Sequence, residues 1–560
     1  MKYILLPLLF VFGLLYGWAQ PKNASKALLH VTTYDPQGQK LQTGTAFLIS
    51  EDGVALGSYS LFQNAARAEA VDAKGTLHAV SQILGGSSMV DMVKFRIEGV
   101  KKADFLPLTT APATEQQSAF LLSFKEGKAT ATPTAVAKVA PFQRLKYYDI
   151  TTANDITLTG SPIITTDGRV FGVYQHNVAK DATTACAMDV RFADSLAISA
   201  TSTFNHDLQK IYIRKALPTD VTQARAFIYL QNPADSANYV SLLNDFISSF
   251  PDNAEGFVDR ANFFAGHGLY DKADADFNTA LKLSTKSKAP YTEDEVRFAR
   301  SKTIYNKELY APTPAVEGWN IGQALTEVRK AYTIRPLPIY KNQEGIYLFA
   351  QKEYKAAYET FKAVNQTNFS SPETYFMAAQ CLERLGTDSA LLSVTLDSMM
   401  AKCARPYNAN AAAYLLARTG FYNRMKRYRD AIKDLNEYEK IIGTERLGSQ
   451  FFYTRSQVEL SARQYQLAVN DIQRAIQLAP GNTFFLIEEA LIYLRAGEYE
   501  IASEKAQATL QLIPENPDCH KIIGIAQGEL GQKADALTHL NKAKALGDDT
   551  VDTFIEKYSK

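Results

Sequence analysis

The sequence predicts a chain of two unlike architectures, an all-β barrel or pair of barrels followed by an all-α repeat superhelix. Three observations predict this. Between residues 26 and 199 the apolar residues fall in short alternating or wholly apolar runs, such as ALLHVTTY, TAFLIS, MVKFRI, AFLLSF and VFGVY, separated by Gly, Asp, Pro and Asn turns. Beyond residue 220 the apolar period changes from two to about 3.6. Within that second region a set of residues recurs at a spacing of 34.

Taken from its start, the chain opens with Lys2, an apolar run from Ile4 to Leu15, and Gly17-Trp18-Ala19. Small residues at the minus-three and minus-one positions predict a cleaved export signal over residues 1–19. A membrane anchor is the competing reading, but the run falls short of the ~20 apolar residues that a spanning helix needs, and Pro7 interrupts it. After cleavage no membrane span is expected, and no cysteine follows the site to take a lipid. Export would place the protein in the periplasm or cell envelope of a bacterium, or outside the cell.

Composition excludes several classes. Sixty basic against 59 acidic side chains leave no global field for nucleic acid or an anionic membrane. The four cysteines, at 186, 381, 403 and 519, have none of the paired spacings that hold zinc, and the seven histidines include no His-x-x-x-His pair beside an acid. No metal and no cofactor is expected. The cysteines read as small buried hydrophobes, with a Cys381 to Cys403 disulfide as the alternative in an oxidising compartment.

About a dozen short strands in the first region argue for closed barrels. Its most informative stretch is DITLTGSPIITTDGRVFGVY, Asp155 to Tyr174, a loop followed by a strand, the tight turn Thr166-Asp167-Gly168 and a second strand. With GTAFLISEDGVAL at Gly44 to Leu56, DMVKFRI at Asp91 to Ile97 and ACAMDV at Ala185 to Val190, the region resembles trypsin-like serine proteases of the HtrA type along its whole length. The resemblance implies a double barrel with a His-Asp-Ser triad and a backbone oxyanion hole.

The departures from that pattern are specific. Counting back from Pro162 places Ser161 and Gly160 on the two glycines after the nucleophile, Thr159 on the nucleophile, and Thr157 on the glycine of the oxyanion hole. The family's Thr-Asn-x-His-Val segment is Gly57-Ser58-Tyr59-Ser60-Leu61 here, which places Ser60 on the general base. Asp91, in Asp91-Met92-Val93, matches the orienting acid and has no imidazole to orient. A serine hydroxyl takes no proton at neutral pH, and losing the base alone costs on the order of 10⁶-fold in turnover because the triad works as a unit. His78 and His176 are the remaining candidates for a base, and both read first as strand-face or loop histidines.

A connector is expected over residues 200–219, containing ATSTFNHD and Pro218. From 220 to 560 the pattern is helical. Tyr465, Ala468, Ala475 and Pro480 are echoed 34 residues on by Tyr499, Ala502, Thr509 and Pro514, then by Lys533, Ala536, Ala543 and Asp548. The region resembles tetratricopeptide repeats. Further units include Phe257, Ala261, Phe264, Ala273, Phe277 and Ala280, then Ala324, Val328, Ala331 and Pro336. Weaker ones are Gly345, Tyr354, Ala357 and Phe361, and Tyr422, Tyr428, Ala431 and Leu435. YAPTPAVEG at Tyr310 to Gly318 reads as an inserted loop, and TVDTFIEKYSK as a cap helix. Such arrays hold a peptide or another protein in a groove.

Two functions follow. One is an exported pseudoprotease-like scaffold whose helical array binds a protein or peptide; the other is an active serine-type endopeptidase in which Thr159 attacks with a base from elsewhere.

Overall fold

A computed structural model describes residues 24–125, 128–179, 182–231, 236–286 and 290–560. The expected export signal over 1–19 lies outside them. Alternating and apolar runs form twelve strands: β1 (Leu28–Tyr34), β2 (Lys40–Leu48), β3 (Val54–Gly57), β4 (Arg67–Asp72), β5 (Leu77–Ser87), β6 (Met92–Ile97), β7 (Ser118–Lys125), β8 (Lys128–Phe142), β9 (Leu145–Ala153), β10 (Pro162–Thr165), β11 (Val170–Gln175) and β12 (Thr184–Asp189). They close into two antiparallel barrels of six, in the orders β1-β2-β3-β6-β5-β4 and β10-β11-β12-β9-β8-β7. Closure leaves no unpaired strand edge to template aggregation.

The core of the first barrel is built on Val31, Phe47, Leu56, Phe62 and Phe95, all fully buried, with the Phe62 and Phe95 ring centroids 4.8 Å apart. That of the second gathers Leu121, Tyr148, Ile150, Ile163 and Phe171, with Tyr148 edge-on to Phe171 at 5.4 Å. Among its described residues one carboxylate, Asp189, is fully buried, and it is matched by the Arg191 guanidinium at 2.5 Å and the Tyr148 hydroxyl at 3.2 Å. Burying that charge without such partners would cost several kcal/mol.

Residues 200–219, expected as a connector, are packed along the first barrel. Leu208, Ile211 and Ile213 are 0–4% exposed. The Tyr212 N–H donates to the Ala65 carbonyl at 2.8 Å, and Ile83 of β5 exchanges hydrogen bonds with Arg214 and Ala216 in a short parallel bridge. Helices Val221–Tyr229 and Ser236–Ser249 continue this packing: Ala224, Phe227, Leu242 and Phe246 join the same apolar cluster as the first barrel, and Gln82 of β5 donates to Asp245 at 3.0 Å. By contacts the chain divides into two compact units, the first ending at Leu283 and the second running from Ser284 to Lys560. Residues 200–219 pack because a stretch with three large aliphatic side chains within the six residues 208–213 gains more by burial than by spanning water.

The second unit is all α-helical among its described residues, from Glu293–Tyr310 to the terminal Asp552–Ser559. Successive helices joined by short loops pack as hairpins. The positions that recur at 34 are the buried ones: Ala468, Ala475, Ala502, Ala536 and Ala543 are fully buried and Thr509 nearly so. At Gly345, in helix Pro338–Ala350, a Cβ would sit 2.8 Å from the Phe361 ring of the next helix, so glycine is what lets the pair close. Three arginines sixteen residues before an aspartate repeat one further device. Arg260 with Asp276, Arg418 with Asp434 and Arg455 with Asp471 form two-pronged ion pairs between the helices of a hairpin. Each guanidinium also reaches back to the preceding helix, at Asn244, Asp397 and Glu439 respectively. All four cysteines are free thiols, Cys381 and Cys403 included. No helix among the described residues is long and apolar enough to cross a membrane.

Candidate functional site

The positions singled out in the sequence converge where β3 and β6 meet the loop before β10. β3 ends at Gly57, and the short helix Tyr59–Phe62 follows with Ser60 at its exposed start. Asp91 precedes β6 in a left-handed conformation, φ 41°, which aims its carboxylate back at that helix. One carboxylate oxygen of Asp91 accepts the Ser60 N–H at 2.7 Å. The other accepts the Ser58 hydroxyl at 2.8 Å and the Ser60 hydroxyl at 3.4 Å, and the two serine hydroxyls lie 2.6 Å apart. Burial pushes the Asp91 carboxyl up, while these hydrogen bonds pull it down. Beside it, burial and the neighbouring Asp207 and Asp91 carboxylates push the Tyr59 phenol up to about 12.

Thr159 sits across from this cluster. Gly160, at φ +88°, is pressed against the first barrel so closely that a Cβ would meet the Thr45 carbonyl at 2.7 Å and the Ser58 nitrogen at 3.0 Å. The contact ties the Thr159 loop to the strand end that bears Ser58 and Ser60. Tyr174 of β11 fixes the loop from the other side, accepting the Gly160 N–H and donating to the Ser161 carbonyl, both at 2.9 Å. The Thr159 hydroxyl is buried and makes no hydrogen bond among the described residues, and the same holds for Ser161. No base touches the residue in the nucleophile position.

The oxyanion positions are filled from within. The Thr157 N–H donates to the Asp155 carboxylate at 2.9 Å, and the Thr157 hydroxyl donates to the same oxygen at 2.7 Å. The Thr159 N–H donates to the Ile156 carbonyl at 3.2 Å. An oxyanion hole requires donors that point into empty space where charge will develop. Here the N–H groups at both matched positions donate within the loop.

The two spare histidines differ. His78 is held away on the first barrel, with Nδ1 2.9 Å from the Glu98 carbonyl and Nε2 3.3 Å from Asp72. His176 follows β11, whose Gln175 donates to the Val90 carbonyl next to Asp91 at 2.6 Å, and its Nδ1 is buried without a partner. In the structure Ser60 and Asp91 meet directly and Gly160 brings the loop of Thr157 and Thr159 against Ser58, while Ser58 and Asp155 are contacts that sequence reasoning missed. Ser58 stands two residues before the base position and Asp155 two before the oxyanion position, spacings at which short polar side chains reach neighbouring backbone. Among the described residues no three His, Cys, Asp or Glu side chains gather as a metal would need.

No curated protein matches the chain. Among solved structures it is similar to the Rv3671c protease from M. tuberculosis in its active form, at 17% identity and a TM-score of 0.29, over 35% of this chain and 85% of that one. Residues 44–173 match the family model of a trypsin-like peptidase domain. With its two six-stranded barrels, the N-terminal part of this chain carries a trypsin-like peptidase domain.

Proposed function

We propose that the protein is an exported pseudoprotease-like scaffold, in which the trypsin-like domain keeps its fold without the chemistry and the helical array, of tetratricopeptide type, holds a protein or peptide. The observation that carries the reading is the state of the oxyanion positions, where the Thr157 and Thr159 N–H groups are both bound within the loop. Substitution of the base position by Ser60 and of the nucleophile by Thr159 supports it independently. Each loss is damaging by itself: one oxyanion donor is worth about 10² to 10³ in turnover, and a triad without its base loses about 10⁶. Export rests on the leader over 1–19, and detection of Gln20 as the N-terminus in protein taken from cells is its check.

The alternative, an active endopeptidase with a divergent site, draws on His176, whose unpartnered ring nitrogen near the Asp91 strand could serve as a base after rearrangement. Fluorophosphonate labelling and casein hydrolysis, compared between the wild-type chain and Thr159→Ala, separate the two. The scaffold reading expects no difference between them. Labelling that disappears in Thr159→Ala, and again in His176→Ala, would establish the enzyme instead.

A further inference from the structure

We infer that the first unit holds a second, separate binding site, for a small amphipathic carboxylate, in the cavity bordered by Val90, Arg144 and Leu208. The cavity has a volume of about 340 Å³. None of Ser60, Asp91, Thr157 and Thr159 lines it, although Val90 beside Asp91 does.

Its floor is apolar and buried: Val90, Phe192, Leu196 and Leu208 are each 3–5% exposed. Its rim carries solvent-reached donors that have no protein acceptor among the described residues. Arg144 is the only charged side chain of the lining and forms no ion pair among the described residues. The Ser87 hydroxyl and the Asn205 side-chain amide also lack acceptors there, although the Asn205 carbonyl oxygen caps the Leu208 N–H at 3.1 Å. Asp207, two residues from Asn205, is already taken by the Ser88 N–H and hydroxyl, both at 2.8 Å. An apolar floor with a few convergent donors and one unpaired guanidinium is the make-up of a ligand pocket, and the sign of the charge selects an anion.

Gln143 and Arg144 form the tip of the β8–β9 hairpin, where Gln143 adopts the positive φ, 49°, that a two-residue turn requires. The Gln143 side-chain amide reaches the Met89 sulfur at 2.7 Å across the rim, and Arg144 beside it lines the cavity.

Volume limits the ligand. A cavity of 150 Å³ takes a benzene ring, so this one takes roughly twice that, an alkyl or aryl body of about eight carbons ending in a carboxylate. A free fatty or aryl acid and the C-terminus of a peptide chain with an apolar last residue share that chemistry.

The test is isothermal titration of the purified full chain with octanoate, with octan-1-ol, and with a tetrapeptide ending in leucine in its free-acid and amidated forms. Saturable binding of octanoate or of the free-acid peptide is expected, at least about tenfold tighter than the neutral analogue, from one charge-assisted contact. The tighter of the two acids identifies the source. Arg144→Ala, an exposed change that leaves the fold intact, should remove that preference. Ala197→Trp, also exposed, should fill the cavity and abolish binding of both. The inference is overturned if neither acid binds saturably, if octan-1-ol and the amide bind as well as the acids, or if Ala197→Trp leaves binding unchanged.

Discussion

The Asp155 carboxylate accepts the backbone N–H of Thr157 at 2.9 Å, so the donor that would stabilise a tetrahedral oxyanion already faces a negative charge. A second carboxylate is engaged as well, the Asp91 oxygen that accepts the Ser58 hydroxyl at 2.8 Å. On the pseudoprotease reading proposed above, these hydrogen bonds hold the site closed beyond the loss of a histidine.

Restoring residue types alone should accordingly do little. Ser60→His with Thr159→Ser should label weakly with a fluorophosphonate probe. Adding Thr157→Gly and Asp155→Ala to release the oxyanion N–H, and Ser58→Ala to free Asp91, should raise the labelling rate by about 10²-fold or more, the worth of one oxyanion donor. Equal rates for the double and the fivefold variant would show that the loop hydrogen bonds are irrelevant.

The layout of this site was legible in the sequence because Gly160, Pro162, Asp91 and the Thr166-Asp167-Gly168 turn are fixed by backbone geometry, and backbone geometry leaves residue-type signatures. The closing contacts of Ser58 and Asp155 were not legible. They depend on which way a short polar side chain turns, and both residues are ordinary loop residues by type. The barrels and the helical region were read correctly from periodicity. The packed state of residues 200–219 was missed because that stretch has turn composition, while Leu208, Ile211 and Ile213 are too few to show a period.

Glu459 in helix Ser449–Ser461 should make the second unit less stable as pH rises. It is 4% exposed and its Oε2 has no partner, and burial together with the neighbouring Asp471 carboxylate holds its pKa well above the ordinary carboxylate range. A raised folded pKa means the folded state keeps a proton that the unfolded state releases. The stability is then fully present below the unfolded pKa and is lost as pH climbs through the neutral range. Urea midpoints of the full chain should show this decline for the transition of this unit, and Glu459→Gln should flatten it while raising the midpoint at pH 7. An unchanged slope in the variant would mean that Glu459 is ionised in the fold.

The Arg455 guanidinium links three helices, by a two-pronged pair with Asp471 and a bond to Glu439. Arg455→Met leaves the buried Asp471 carboxylate without its cation and should cost about 3–5 kcal/mol in urea unfolding. Arg455→Lys should recover only part, because an ammonium cannot engage both Asp471 oxygens in the same plane. Combining Arg455→Met with Asp471→Leu should be milder than Arg455→Met alone, since no unpaired charge then remains at that position. A double variant as damaging as the sum of its parts would refute a coupled pair.

Truncation separates two views of where the first folding unit ends. A chain stopped after residue 199 loses Leu208, Ile211 and Ile213 from the face of the first barrel, together with the backbone bonds that Tyr212, Arg214 and Ala216 make to Ala65 and Ile83. At about 1.5–3 kcal/mol for each buried aliphatic side chain, the loss is comparable with the whole net stability of a domain. That fragment should be insoluble or molten, with weak near-ultraviolet dichroism. A chain stopped after residue 283 keeps the packed segment and the helices whose Phe227, Leu242 and Phe246 share its apolar cluster, and should unfold cooperatively. Equal cooperativity in the two fragments would show that residues 200–283 lie on the barrel without supporting it.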